Sequence, residues 1–463
     1  MDKPNIILIM CDDLGYGDTG FNGNTVIRTP HLDQLANEGA VFTRFYSGAP
    51  VCSPTRGTCL TGRHHYRYGI GNANKGRLPK EEITLARALK TLGYTTGHFG
   101  KWHLGTLTKE IRDGRRGGPE HPELYSPPWE HGYDTCFATE VQVPLWNPMQ
   151  NQKFPSKYWH EDGTYADSNL EGDDSRVIMD RVLPFIERAV ARKVSFFATV
   201  WFHAPHEDVI AGPEYRRMYA EYSEGEQHYY GCITAMDEQV GRLNEAVKKL
   251  GIERETVIWF CSDNGPEGRE RGGRHWGSTG GLRGRKRSLY NGGIAVPALI
   301  KWPKYIKPGT VFHAPCSTLD FFPTFIEETG YVMPDNRPID GVSLLPYFRG
   351  ETTTRPKPIP FRFVSKRTAM FGSPTFGIID NDYKLLTNFS ESGEHDAVYN
   401  LVEDPYEERN IIDEQREFAD KMKAYLRDLL EDFRRSHYGG DYANPDYRPV
   451  VEYIGNEKGW SKD

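Results

Sequence analysis

The chain has 463 residues, 26% of them charged and 38% hydrophobic, and a net charge of -7, so it can build one large domain, or a large and a small one sharing a core. A mean hydropathy of -0.64, with no apolar run near the roughly 20 residues that cross a bilayer, excludes a membrane span. The acidic balance argues against a dedicated nucleic-acid binder, which is basic overall.

Read from the start, Asn5–Met10 is a short apolar run that stops at Cys11-Asp12-Asp13 and a glycine-rich turn, as a buried parallel strand does when it ends in a loop. The run is too short for the apolar region of a signal peptide and no cleavage site follows it. The expectation is a cytoplasmic protein, or a periplasmic or secreted one whose leader has been removed. Thr29 as N-cap, Pro30 at the first helical position and a closing Gly39 predict a helix. Val41–Tyr46 reads as a second strand, and Ile83–Leu92 as a helix with Leu85, Leu89 and Leu92 on one face.

Strands are expected at Thr95–Phe99, Val194–Phe202 and Thr256–Cys261, with a long helix over Gln227–Leu250 before the last. Residues 105–170, rich in Gly, Pro, Trp and His without periodicity, read as long surface loops. The alternation predicts an α/β fold, a mostly parallel central sheet flanked by helices. After the proline-rich break Pro356–Pro360, short strands at Tyr383–Thr387 and Ala397–Leu401 and an amphipathic helix at Asp413–Phe433 suggest a smaller C-terminal α+β subdomain. We place a catalytic domain at 1–350 and that subdomain at 351–463. The seven cysteines lack a CxxC pair and read mostly as small buried hydrophobes.

Two acidic tips carry chemistry. Asp12-Asp13 ends the first strand and Asp263-Asn264 follows Thr256–Cys261. Ligands of open α/β sheets bind beyond the carboxyl ends of the strands, where such tips can meet. Three carboxylates and an amide oxygen form an all-oxygen set that suits a hard cation such as calcium or magnesium rather than zinc. Taken alone, either pair serves equally as a turn or helix cap. In Cys52-Ser53-Pro54-Thr55-Arg56, Ser53 reads as N-cap and Pro54 as the first helical residue, which puts Cys52 ahead of the helix's positive end. Arg56, one turn along, can pair with an oxyanion there. The alternative is a free thiol beside a capping loop.

Cys52-x-Pro54-x-Arg56 followed by Leu60-Thr61-Gly62-Arg63 resembles the type I sulfatases of the alkaline-phosphatase superfamily. Further blocks resemble the family in its order: Asp12-Asp13-Leu14-Gly15, Gly100-Lys101-Trp102-His103-Leu104-Gly105, Ala204-Pro205-His206, Ser262-Asp263-Asn264-Gly265 and Leu282-Arg283-Gly284-x-Lys286 leading to Gly292-Gly293-Ile294. Leu401-Val402-Glu403-Asp404-Pro405 resembles its closing subdomain, so the likeness runs over nearly the whole chain.

The resemblance implies hydrolysis of a sulfate ester by formylglycine made from Cys52 by a formylglycine-generating or anaerobic sulfatase-maturating enzyme. It implies a calcium site of Asp12, Asp13, Asp263, Asn264 and the modified residue 52. Its hydrated aldehyde would attack sulfur with one hydroxyl and expel sulfate with the other. Asp263 would take the attacking proton, Arg56 would stabilise the diol, and Lys101 and Lys286 would bind sulfate. His103 would deprotonate the diol during release, and His206 would protonate the leaving oxygen with Lys286 assisting.

Three departures from the family's pattern stand out: Glu207-Asp208 after the Ala-Pro-His block, Asn291 before Gly-Gly-Ile, and Thr55. A sulfated saccharide is the expected substrate, because Arg269, Arg271, Arg274, Arg283, Arg285, Lys286 and Arg287 form a basic stretch. His275 and Trp276 lie inside it, and with His203 they are candidate substrate contacts. Trp129, Trp146 and Trp159 are candidate walls of the same cleft. Two rivals are a phosphatase or phosphonate monoester hydrolase of the superfamily, and a non-catalytic polyanion-binding protein that keeps Cys52 as a thiol.

Overall fold

The computed structural model describes residues 3–268, 276–365, 373–390 and 392–453. Eight strands form the central sheet: β1 (Asn5–Cys11), β2 (Ala40–Phe42), β4 (Thr95–Lys101), β5 (Thr135–Thr139), β6 (Phe196–Trp201), β7 (Thr256–Ser262), β8 (Ala298–Lys301) and β9 (Thr310–Phe312). Their order is β5-β4-β6-β1-β7-β8-β2-β9. The five strands from β5 to β7 run parallel, and β8 pairs antiparallel with both β7 and β2. The sheet is therefore mostly parallel, as its strands of almost unbroken apolar residues require when both faces are covered.

One face packs on α1 (Pro30–Glu38), α4 (Asp174–Ala191) and α6 (Glu224–Lys249) through Ile7, Ile9, Val177, Ile178, Ile233 and Val240. The other packs on α2 (Cys52–Thr61), α3 (Leu85–Thr91) and α8 (Phe321–Thr329) through Leu8, Met10, Leu60, Leu89, Trp259 and Phe325. α5 (Pro213–Arg217) and α7 (Asn291–Ile294) are single turns. Four antiparallel strands, β11 (Ile359–Arg362), β12 (Phe376–Asp380), β13 (Tyr383–Thr387) and β14 (Ala397–Asn400), form a second sheet under the helix Arg416–His437.

Three expectations change. The strand read as Val41–Tyr46 is two: β2 stays in the large sheet, while β3 (Phe45–Tyr46) pairs with β10 (Cys316–Ser317). The chain changes sheets at Thr43, whose N–H and hydroxyl both bond to the Phe312 carbonyl. Residues 105–170 are not all surface loop. They contain β5 and the buried Tyr158 and Trp159, because Phe137 and Ala138 pair into the sheet edge. The helix over Asp174–Ala191, with Asp173 capping the Arg176 N–H, lies outside the expected elements.

Candidate active site

The site forms where β1, β4 and β7 end. β1 and β7 are adjacent and in register, Cys11 opposite Ser262. That register carries Asp12-Asp13 alongside Asp263-Asn264, and the Asp263 N–H bonds back to the Cys11 carbonyl. Asp13 adopts a left-handed backbone, φ 67°, and its N–H donates to Asp263 Oδ1 at 3.1 Å. Gly265 lets the loop after Asn264 press against Gly292, whose carbonyl lies 1.9 Å from where a Cβ would stand. Any side chain there would push the Asn264 loop away.

α2 starts two residues earlier than the sequence suggests. Val51 is the N-cap, Cys52 is the first helical residue and Pro54 the third. Ser53 makes no capping bond and its hydroxyl is buried without a partner among the described residues. Cys52 thus lies in the helix's first turn, and its sulfur with one oxygen each of Asp12 and Asp263 lies inside a 4.8 Å group. Burial pushes its thiol up to about 11, against the pull of Lys101 and Lys286. Desolvation outweighs the helix end, and the unmodified thiol stays protonated at neutral pH.

Cations surround the carboxylates. Lys101 Nζ donates to Asp12 Oδ2 at 2.5 Å, and Lys286 Nζ lies 2.6 Å from Asp13 Oδ1. Arg56 binds Asp263 through Nη2 at 2.7 Å and Nε at 3.1 Å and stacks over Trp201. Burial and then Asp12 raise Asp263 to about 7, whereas Lys101, His206 and Arg56 overcome burial to hold Asp12 well below the usual range. Asp12 Oδ1 and Asn264 Oδ1 are buried without hydrogen-bond partners among the described residues. Unpaired oxygens on closely grouped, buried carboxylates and an amide are a donor set that fits a hard divalent cation.

Two histidines flank the carboxylates. His103, left-handed at φ 56°, is buried, and Asn74 Oδ1 lies 2.8 Å from its Nε2. That contact puts the ring proton on Nε2 and leaves Nδ1 bare, since burial followed by Lys101 and Arg116 holds the imidazole neutral. His206 is 14% exposed in its side chain, with Nε2 3.6 Å from Asp13 Oδ2 and Nδ1 2.7 Å from the Glu207 carbonyl. Burial lowers its pKa.

Other expected contacts are placed elsewhere. His203 is fully buried, its Nδ1 2.8 Å from Asp174 Oδ2 and its Nε2 2.7 Å from Thr139 Oγ1. Both nitrogens are taken, so it braces the wall instead of contacting a substrate. Trp276 packs against the core, with its ring against Gly225. Trp159 lies in the core and Trp129 packs on it; Trp146 lies against Gly212. The basic stretch is largely neutralised. Arg287 makes a bidentate pair with Glu267, and Arg285 bonds the Glu267 and Gly277 carbonyls. Arg283 stacks on Tyr290 and bonds the Glu407 carbonyl. Arg269, Arg271, Arg274 and His275 lie outside the described residues.

The sequence reading missed Asn74, Thr139, Asp174 and Glu267. Asp174 had a signal in the helical spacing of Val177, Ile178, Val182, Phe185 and Ile186; Asn74, a polar loop residue, had none. At the departure Asn291, the Glu407 carboxylate accepts from the Asn291 N–H and pairs with Lys384, which also donates to the Asn291 amide oxygen.

The family model described as sulfatase matches residues 4–331. A second, for the C-terminal region of N-sulphoglucosamine sulphohydrolase, matches 284–436 and so starts before residue 351. Arylsulfatase A of Bos taurus is 32% identical over 463 residues, covering 92% of this chain and 87% of the relative. Steryl-sulfatase of Mus musculus is 29% identical over 530 residues, covering 92% and 81%. A crystal structure of Ps i-CgsB in complex with k-i-k-neocarrahexaose superposes with a TM-score of 0.75 at 27% identity, covering 96% of this chain and 94% of the other.

Proposed function

Because the chain belongs to the sulfatase family, we propose that it hydrolyses sulfate esters of a saccharide, with formylglycine made from Cys52 as nucleophile over a bound calcium. The observation that carries this is Cys52 in the first turn of α2, grouped with Asp12 and Asp263 and flanked by Lys101 and Lys286. A thiol held up at about 11 is a poor nucleophile, so this reading needs residue 52 to be converted before it can attack. Family relatives are sulfatases by name, and a similar structure is of Ps i-CgsB in complex with k-i-k-neocarrahexaose.

In this reading Asp12, Asp13, Asp263, Asn264 and residue 52 hold the cation. Formylglycine supplies an oxygen nucleophile and calcium supplies Lewis-acid charge. Lys101 and Lys286 are compact charges for the sulfate oxygens; they rest on Asp12 and Asp13 here and would turn to the anion. Arg56 holds the Asp263 carboxylate in place through two bonds. His103 accepts a proton at Nδ1, the nitrogen that Asn74 leaves bare. His206, once protonated, donates from Nε2 to the leaving oxygen, with Nδ1 held by the Glu207 carbonyl. Residues 351–463 form the closing subdomain.

Two measurements test this. The Cys52 peptide from a host with a maturating enzyme should show the mass of an aldehyde in place of a thiomethyl. The same protein should release sulfate from an aryl sulfate faster than phosphate from the matching aryl phosphate; faster phosphate release favours the phosphatase rival. An unmodified Cys52 with no turnover favours the polyanion binder.

A further inference from the structure

A cavity of about 580 Å³ lies beside the site, between the loop after β4 and the C-terminal tail. Its size is that of a pocket for a ligand of one to a few rings. Asn74 lines it, and the same side chain reaches His103, so the cavity adjoins the machinery. Around the rim stand Lys75, Arg112 and Arg115, all exposed, with no ion-pair partner among the described residues. Arg116 binds Glu140 at 2.7 Å, Arg112 Nη2 donates to the Arg115 carbonyl at 2.9 Å, and the carboxylates of Glu120, Glu123 and Glu452 share the lining with the three cations. Leu124, Val451 and Tyr453 add apolar wall.

Cations around a partly apolar floor suit a sugar ring that carries a negative group. Apolar surface covers the ring, while the charges select the anion. The arginines of the loop 283–287 are held more fully, Arg287 by both Glu267 oxygens, Arg285 by three carbonyl bonds and Arg283 by the Tyr290 ring and a carbonyl.

We propose that this cavity is a subsite for a second anionic sugar of the substrate, gripped by Lys75, Arg112 and Arg115. The enzyme would then prefer oligosaccharides with an anionic unit next to the sulfate ester being cleaved. This rests on the sulfatase reading and deepens it.

The test measures equilibrium binding of three tetrasaccharides to protein carrying Cys52→Ala, which cannot turn them over. They are κ-carrageenan (sulfates only), hyaluronan (carboxylates only) and chondroitin 6-sulfate (both). Arg112→Glu with Arg115→Glu should weaken the tightest of the three about tenfold or more, and raised salt should narrow the gap, as exposed charge pairs are screened. Lys75→Glu, made separately, should weaken the same ligand and covers the case in which the double variant misfolds. If the carrageenan arm loses most, the anion is sulfate; if the hyaluronan arm does, it is carboxylate. Failure of all three to bind, or affinities within twofold of the unreversed protein, overturns the subsite. Aryl-sulfate turnover by the protein with Cys52 intact is measured alongside. Turnover with unchanged affinities leaves the reaction standing without the subsite, and the reverse result leaves the subsite without the reaction.

Discussion

Lys101 and Asp12 meet through a 2.5 Å contact between Nζ and Oδ2, and neither side chain has any exposed surface. A charge so placed is held for an anion or a cation that joins the same site. Lys101→Ala should lower kcat/KM for an aryl sulfate by about a hundredfold or more, the scale of one lost electrostatic contact to a transition state. Lys101→Arg should not restore it, because a planar guanidinium does not fit a space shaped for an ammonium. Steady-state kinetics of the two variants decide the point.

His203 lies between Asp174 and Thr139 with both nitrogens used. His203→Ala should therefore cost stability, about 2–4 kcal/mol from the stranded Asp174 carboxylate and Thr139 hydroxyl. KM for an aryl sulfate should stay within about twofold of the original, because no substrate contact is removed. Denaturant unfolding and kinetics on the same preparation separate the two effects.

If the proposed cation site is right, a chelator should both inactivate and destabilise the protein. Among the described residues, Asp12 Oδ1 and Asn264 Oδ1 have no hydrogen-bond partner to fall back on. A chelator should lower the thermal midpoint and abolish aryl-sulfate turnover. Calcium at about a hundred times its Kd should restore about 2.7 kcal/mol. An unshifted midpoint counts against a cation at these residues.

Asp173 caps α4 while buried, and burial lifts its carboxyl to about 8. Between about pH 4, where an unfolded aspartate titrates, and about pH 8, the folded state holds a proton that the unfolded chain has lost. This contribution to stability is present below pH 4 and declines as pH rises towards 8. Asp173→Asn, an equally good cap, should remove that decline. The variant's advantage should grow by about 1 kcal/mol or more across the range, read by denaturant midpoints at each pH.

Lys384 and Glu407 are fully buried and 2.7 Å apart, joining the second sheet to the turn at Asn291. Lys384→Met alone should cost about 3–5 kcal/mol by stranding Glu407. Adding Glu407→Leu should recover much of it. A double-mutant cycle by denaturant unfolding measures the coupling.

Much of the candidate site's grouping was legible before the fold. Asp12-Asp13 and Asp263-Asn264 follow runs whose unbroken apolar character marks buried parallel strands, and such strands put their ends on one edge. The helix signals of Thr29-Pro30 and Gly39 also held: α1 spans Pro30–Glu38. Its cap was not legible, since the Thr29 hydroxyl makes no capping bond. The Asp237 carboxylate, some two hundred residues away, accepts from the His31 and Leu32 N–H groups.

The sequence by itself determined which residue types gather at the strand ends, because local apolar runs, caps and turns depend on near neighbours. Only the tertiary structure decided which charges are spent and which are free. The arginines at 283–287 looked like an anion site until Glu267 and the backbone carbonyls took them, while Lys75, Arg112 and Arg115 drew no notice and stand around a cavity without an ion-pair partner among the described residues. A charge's availability depends on what lies across space from it, and a chain read in order does not carry that distance.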